Sequence, residues 1–342
     1  MKKFKYYLRV VSGASLKRFF HVVSEAHKRS GKSRIYCFFD IIYCIFRYKA
    51  AYHDYIIFEF WKYNDKQRKT FFTRFKSKEF IMYMNDPSYS HIFDNKNEFN
   101  KVFKEYIGRD YIDLQDPDTT DEEIEKFFKK HDEIFCKPNS LSCGRGCMKV
   151  KVKDYKNFEE FLKFIREKDF GTIEEVVKNH PDLDKVYPFA ANTMRVITMI
   201  DQDGVPHCIY AVLKMGKDGR VVDNLGLFGP VNVETGEFMY PAHAGDTVLD
   251  EIYYEHPYSH VKLVGMKVPL YKEAINLALK AAKVVPQIRY VGWDIAITPK
   301  KPVIIEGNNY CAHDFWQLPG QIENGIGIIP TIEKYIKDYK FK

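Results

Sequence analysis

The run Trp293-Asp294-Ile295-Ala296-Ile297, followed after Thr298-Pro299-Lys300-Lys301-Pro302 by Val303-Ile304-Ile305-Glu306-Gly307-Asn308-Asn309, decides how this chain is read. Two stretches rich in β-branched residues flank an interval of turn residues, so the segment reads as two adjacent antiparallel strands. In that hairpin Asp294 and Glu306 face each other. Asn308, two residues beyond Glu306, falls on the same side because strand side chains alternate with period 2. Two carboxylates and an amide oxygen on one sheet face form a hard oxygen-ligand site of the kind that holds Mg²⁺ bridging nucleotide phosphates. A cross-strand polar pair on a solvated face is the competing reading of the same residues.

A second segment, Phe135-Cys136-Lys137-Pro138-Asn139-Ser140-Leu141-Ser142-Cys143-Gly144-Arg145-Gly146-Cys147-Met148-Lys149-Val150, narrows the choice. A short apolar strand ends in a lysine, a small-residue loop with two glycines follows, and the chain returns to alternating Val150 and Val152. Glycines let backbone N–H groups approach phosphate oxygens, and Lys137 supplies a point charge. The loop lacks the Gly-Lys-Ser/Thr ending of a P-loop and the G-x-G-x-x-G spacing of a dinucleotide site.

Composition sets bounds around these motifs. With 342 residues the chain can bury a sizeable core divided among lobes around a cleft. Its net charge of +7 is gathered in the first 80 residues and in the last nine, Lys334 to Lys342. No RNA-recognition or zinc-finger pattern accompanies that charge, so nucleic acid is not an expected partner. Seven cysteines without paired CxxC spacing suit reduced thiols in the cytoplasm. The apolar run Ile35 to Phe46 is too short to span a bilayer and contains Asp40. It reads as a buried core helix, with peripheral membrane contact as the minority reading.

Periodicity gives an α+β chain. Residues 1–85 read as a helical region, with Tyr52 to Phe75 as one or two amphipathic helices, ending at the turn residues Asn85-Asp86-Pro87-Ser88. Residues 86–342 follow as the catalytic region. Helices are predicted over Asn97 to Tyr106, Thr120 to Lys130 with a capping signal at Thr120-Asp121-Glu122-Glu123, Asn157 to Lys168, and Leu270 to Val285. Thr193 to Ile200 and His207 to Met215 alternate like strands of a central sheet around a turn at Asp201-Gln202-Asp203-Gly204.

In this order the pieces resemble the ATP-grasp superfamily, and specifically its sugar-transfer-associated branch found with polysaccharide genes. The resemblance runs from about Phe93 to Gln317 and rests on Asn192-Thr193-Met194-Arg195-Val196, Gly292-Trp293-Asp294 and Glu306-Gly307-Asn308. Supporting segments are Phe93-Asp94-Asn95-Lys96, Lys137-Pro138 with its loop, Ile173-Glu174-Glu175-Val176, Val222-Asp223-Asn224 and His256-Pro257. It implies an ATP-grasp fold of two α+β lobes gripping ATP: a glycine-loop lobe at about 130–175 and a central sheet with the metal site at about 190–320.

It also implies roles. Lys96 and Lys137 contact the phosphates, and the loop bearing Ser142, Gly144, Arg145 and Gly146 closes over them. The backbone around Glu174, Glu175 and Val176 forms the adenine hinge, and Asp294, Glu306 and Asn308 carry Mg²⁺. Arg195, a fixed guanidinium on a central strand, neutralises phosphoryl charge, assisted by Lys214. A buried ion pair is the competing reading for Arg195 and Lys214, and a solvated charge for Glu174 or Glu175. His243, His256 and His313 are candidate acid/base or substrate contacts by resemblance, with a structural role the favoured reading of each. The implied reaction is carboxylate–amine ligation through an acyl phosphate, with ATP and Mg²⁺ as cofactors and a small-molecule or sugar-linked carboxylate and an amine as partners. A kinase of the same fold acting on a hydroxyl, and a non-catalytic nucleotide-binding or membrane-associated protein, are the alternatives. Oligomeric state is not legible.

Overall fold

A computed structural model of the chain describes residues 16–138, 145–247 and 251–341. The polypeptide divides into two compact units, one joining the residues through Phe80 with those from Ala312 onward, the other comprising Ile81–Cys311.

Within the larger unit lie two antiparallel sheets. Strands β1 (Tyr111–Asp113), β2 (Glu133–Pro138), β3 (Met148–Lys151) and β4 (Phe170–Glu175) form a four-stranded sheet in the order β1-β4-β2-β3. Strands β5 (Thr193–Ile200), β6 (Pro206–Met215), β7 (Leu227–Pro230), β8 (Ala242–Ala244), β9 (Ile252–Tyr253), β10 (Tyr290–Ile297) and β11 (Pro302–Asn308) form a seven-stranded sheet in the order β11-β10-β5-β6-β7-β8-β9. Mixed helices and antiparallel sheets make the α+β class.

The smaller sheet is covered on one face by helices Asp121–Lys130 and Phe158–Glu167, whose Ile124, Phe127, Phe128, Phe161 and Ile165 bury against Ile134 and Ile173. Both helices start where their side chains dictate. Thr120 accepts from the Glu123 amide while Glu123 returns the bond to the Thr120 amide, and Asn157 accepts from Glu160. On the larger sheet, helix Tyr271–Ala281 lays Ala274, Ala278 and Ala281 into a core that also holds Met194, Val196 and Trp293. Trp293 is fully buried, donates from Nε1 to Thr198 Oγ1 at 2.8 Å, and packs edge-on against Phe103 at 5.3 Å. Alternation places Trp293 on the core face, so Gly292 and Asp294 point to the other.

Some elements differ from the sequence reading in length. Asn97 to Tyr106 is two helices, Lys96–Val102 and Lys104–Ile107, broken at Phe103, whose ring stacks on Phe99 at 4.5 Å. Tyr52 to Phe75 is not one or two helices but Tyr52–Ile57, a 3-10 turn, Asp65–Lys69 and the start of Arg74–Met84. Helical spacing of aromatics survives these breaks because packing partners, not continuity, select it.

The smaller unit is helical. Helix Arg34–Tyr48 buries Cys37, Ile41, Cys44, Ile45 and Tyr48 on one face only, which corrects the reading of Ile35 to Phe46 as a wholly buried helix. Asp40 on this helix is neutralised by a bidentate bond from Arg68, at 2.8 Å for each nitrogen. Among the described residues no helix is long and apolar enough to cross a membrane.

Asp54 and His313 form a buried pair here, His313 Nε2 lying 2.7 Å from Asp54 Oδ1, while Asp54 Oδ2 accepts from the amides of Ala51 at 2.7 Å and Arg74 at 2.8 Å. Burial opposes both charges, yet the partner's charge prevails: His313 is raised above its ordinary 6.5 and Asp54 held below its ordinary 3.8. A raised histidine stabilises fully below its unfolded pKa and loses that contribution as pH climbs through the folded one; the depressed aspartate behaves inversely in acid. Urea unfolding should therefore show stability falling above pH 6.5 with a slope approaching about 1.4 kcal/mol per pH unit, a limb that His313→Gln abolishes. An unchanged limb in the variant would assign the titration elsewhere.

Candidate active site

The predicted hairpin is present as β10 and β11, with Asp294 directly opposite Glu306. On its other side β10 pairs with β5, which sets Asp294 opposite Arg195. Lys214 comes from the next strand, β6, whose Lys214 is paired with Thr193. Five side chains named from sequence (Arg195, Lys214, Asp294, Glu306 and Asn308) therefore share one sheet region.

Asp294 is the hub. Arg195 Nε and Nη2 donate to its Oδ1 and Oδ2, each at 2.5 Å, in the forked geometry that a guanidinium and a carboxylate favour. Lys214 Nζ lies 3.2 Å from Asp294 Oδ2 and 3.2 Å from Asp223 Oδ1. The Thr193 hydroxyl donates to the other Asp223 oxygen. Burial by itself would push the Asp294 carboxyl up, but Arg195 and Lys214 hold it well below the usual carboxylate range. The buried Lys214 ammonium is in turn kept charged, its pKa raised by Asp223 and Asp294 against the opposing pull of burial.

Glu306 has a different environment. Its side chain is 51% exposed, with Oε1 4.0 Å from Arg195 Nη2 and 3.3 Å from Asn308 Nδ2. Partial desolvation first, and then the Asp294 charge, raise its carboxyl. Lys137, on β2 of the other sheet, acts on Glu306 in the opposite sense, so its charge reaches the hairpin. Space near each carboxylate is tight: a Cβ on Gly307, next to Glu306, would lie 2.9 Å from the rings of Phe93 and Phe99, and one on Gly292, two residues before Asp294, would lie 2.9 Å from Cys311 Sγ.

The donor set of Asp294, Glu306 and Asn308 is all oxygen, which fits a hard cation such as Mg²⁺. Asn308 Nδ2 is also 3.4 Å from the Gly292 carbonyl, leaving Oδ1 as the ligand end of the amide. Among the described residues no three His, Cys, Asp or Glu side chains converge as a metal site. The Asp294 oxygens are shared with Arg195 and Lys214, which leaves Glu306 as the most accessible donor.

Lys137 on β2 and Glu174 on β4 meet within the four-stranded sheet. Lys137 Nζ is 2.6 Å from Glu174 Oε2, and Arg109 Nε donates to that same oxygen at 2.7 Å. Asn100 Nδ2 reaches Glu174 Oε1 at 3.2 Å. Burial opposes the charge on Glu174, but Arg109 and Lys137 overcome it and lower the carboxyl to about 2. The Glu174 side chain is thus taken up within the protein. Glu175 stays part-exposed, its carboxylate accepting from the Asp110 amide at 3.2 Å, and Val176 follows directly at the end of β4.

Lys96 starts helix Lys96–Val102 and sends Nζ to the Pro138 carbonyl at 3.3 Å, so it joins the glycine-loop strand. That loop is a hairpin of β2 and β3, Cys136 opposite Met148. Ser142 and Gly144 lie outside the described residues; Arg145 and Gly146 are exposed at the turn, Gly146 with φ of 71°.

Two of the histidines belong to the larger unit. His256 is buried, Nε2 donating to the Gly216 carbonyl at 2.9 Å and Nδ1 accepting from the Tyr258 amide at 3.2 Å, and burial lowers its pKa. His243 is buried in β8 against Phe228. His313 is the partner of Asp54 described above.

Sequence reasoning missed Arg109 and Asn100, and quoted Asp223 without a role. Arg109 is buried, and besides Glu174 it donates to the carbonyls of Ile304 at 2.6 Å and Ile305 at 3.1 Å. Those carbonyls sit at a bulge: β10 and β11 lose register after the Asp294/Glu306 pair, and Ile305 has no opposite residue. The only sequence signal was an arginine set between the apolar Tyr106-Ile107 and Tyr111-Ile112.

A family model described as sugar-transfer associated ATP-grasp matches residues 75–336. Among solved structures, the ATP-grasp ligase PsnB complexed with minimal precursor is 14% identical with a TM-score of 0.43, over 74% of this chain and 63% of that one. D-alanyl-alanine synthetase A from Vibrio cholerae is 15% identical with a TM-score of 0.41, over 75% and 64%. The D-alanine–D-alanine ligase from Bacillus anthracis complexed with ATP is 16% identical with a TM-score of 0.38, over 72% and 65%. The chain spans just under two thirds of the length of these solved proteins. No curated protein matches it.

Proposed function

Because the chain belongs to the sugar-transfer associated ATP-grasp family, we propose that it is an ATP- and Mg²⁺-dependent ligase joining a carboxylate to an amine, acting on a sugar acid or amino acid in cell-surface polysaccharide biosynthesis. The observation that carries this reading is the convergence of Asp294, Glu306 and Asn308 with Arg195 and Lys214, within reach of the Lys137 charge. Two anionic donors beside three cations suit a site that receives a nucleotide triphosphate together with its metal.

Each residue has a definable task. Lys137 and Lys96 bind phosphate oxygens from the glycine-loop side, Lys137 being aimed by Glu174. Asp294, Glu306 and Asn308 would hold Mg²⁺, whose charge would offset that of the phosphate oxygens. Arg195 and Lys214, fixed by Asp294, present immobile positive charge where the transferred phosphoryl group gains negative charge. A carboxylate oxygen of the acceptor attacks the γ-phosphorus, the bond to the bridging oxygen breaks, and ADP leaves. The amine nitrogen then attacks the acyl carbon, gives up a proton, and expels phosphate. No serine or cysteine nucleophile is needed.

Thermal unfolding with and without Mg·ATP tests the reading without knowledge of the acceptor. At a hundredfold excess over Kd the wild type should gain about 2.7 kcal/mol. Glu306→Ala should lose most of that gain while melting normally alone, because its side chain is half exposed and its neighbours remain paired. Absence of a shift in the wild type would remove the nucleotide site. Once an acceptor is found, trapping a hydroxamate with hydroxylamine separates ligation from phosphorylation of a hydroxyl.

A further inference from the structure

Helix Arg34–Tyr48 is apolar on both faces. One face is buried in the helical unit; the other carries Ile35, Phe39, Tyr43 and Phe46, spaced at four, four and three residues and so aligned along a single stripe. Ile35 is 71% exposed and Phe39 64%. The stripe continues onto helix Leu16–Ser30, where exposed Phe20 stacks on Phe38 at 6.3 Å and Phe38 meets Phe39 at 5.3 Å.

Basic side chains outnumber acidic ones along the two helices that carry the stripe. Residues 16–50 hold eight Lys and Arg against two Asp and Glu; of these Arg47 lies 3.8 Å from Asp65 and Lys49 pairs with Glu79. Both acids are taken up, Glu25 by Lys28 at 2.7 Å and Asp40 by Arg68 at 2.8 Å. Lys17, Lys32 and Arg34 are exposed beside the stripe.

We propose that this helical hairpin docks the protein on an anionic lipid bilayer, the aromatic and aliphatic stripe entering the headgroup boundary and the basic rim facing acidic headgroups. Exposed apolar surface bordered mainly by basic side chains is the pattern of helices that lie in the membrane interface. Aromatic rings favour that depth, and basic side chains extend past it to the headgroups. A second copy of the chain fits less well, because two such positive segments repel. Nucleic acid would use the charge but leave the aliphatic stripe without a partner. No described helix can span, so the protein would rest on the surface.

The test is flotation of the full chain with phosphatidylcholine vesicles, with and without phosphatidylserine, in parallel with the Ile35→Ser/Phe39→Ser double variant. The wild type should float with phosphatidylserine vesicles at least about tenfold more than with phosphatidylcholine alone, and high salt should reduce this. The double variant should bind about tenfold or more weakly at an unchanged melting temperature. In Phe39→Trp, indole emission should shift to the blue on adding anionic vesicles. Failure of the wild type to float would overturn the proposal. So would equal flotation of the double variant, or a wild-type dimer dispersed by the two serines without any lipid binding.

Discussion

Replacing Arg109 by alanine is expected to destabilise the larger unit by about 3–5 kcal/mol, because one partner of a buried ion pair is removed and the other stays behind. Glu174, itself buried, would keep only Lys137 and Asn100. Burial raises the Glu174 carboxyl while Arg109 and Lys137 together lower it to about 2, so removing Arg109 takes away one of the two charges that hold it ionised. The sign with pH follows. A depressed carboxylate stabilises above its unfolded pKa and loses that contribution as pH falls through the folded one, so the wild type should weaken from about pH 4.5 down to about 2. In Arg109→Ala the folded-state pKa moves back toward 4.5, so that acid loss should be smaller and should end at higher pH. Arg109 also holds the Ile304 and Ile305 carbonyls at the bulge that orients Glu306, so the Mg·ATP stabilisation should shrink as well. Urea unfolding over a pH series reads the first effect, ligand-dependent melting the second. A variant as stable as the wild type would mean that Lys137 alone suffices for Glu174.

Asp294→Ala should have an effect of the same order, about 3–5 kcal/mol, for the opposite reason: it strands cations. Arg195 and Lys214 are both buried, and Asp223 would be left as the near partner of Lys214, with Glu306 at 4.0 Å from Arg195. Asp294→Asn preserves shape and one acceptor oxygen, so it should lose less stability and fold well enough to assay. Both variants should lose Mg·ATP binding, since the carboxylate is a proposed metal ligand as well as the anchor of Arg195. Comparing them with Glu306→Ala separates structural from ligand roles. If Glu306→Ala abolishes the nucleotide shift at unchanged stability, while Asp294→Ala loses both, the two carboxylates divide the work as their environments indicate. A stable Asp294→Ala protein would contradict the buried network.

The difference between the carboxylates was not visible in sequence. Spacing in Trp293-Asp294 and Glu306-Gly307-Asn308 placed them opposite each other, and the register agrees. Whether each is buried, and beside which cation, depended on β5 and β6 lying next to β10, which no local pattern reports. The competing readings for Arg195 and Lys214 as ion-pair members were also partly realised, since both are paired with Asp294. Pairing fixes a cation in place, so a structural ion pair and a preorganised site are compatible here.

Sequence by itself determined the elements whose physics is local: the β10–β11 hairpin from its turn, the start of helix Asp121–Lys130 from the Thr120–Glu123 exchange, and the single face shared by Glu306 and Asn308. Family motifs carried in the same residues determined the fold. Only the tertiary structure decided that Glu174 is consumed by Arg109 and Lys137, that Ile305 bulges, and that the outer face of helix Arg34–Tyr48 stays open. Those outcomes depend on contacts between residues up to 196 positions apart, as between Arg109 and Ile305. Burial and partner choice at such separations are set by how sheets and helices stack, and side-chain order along the chain does not encode them.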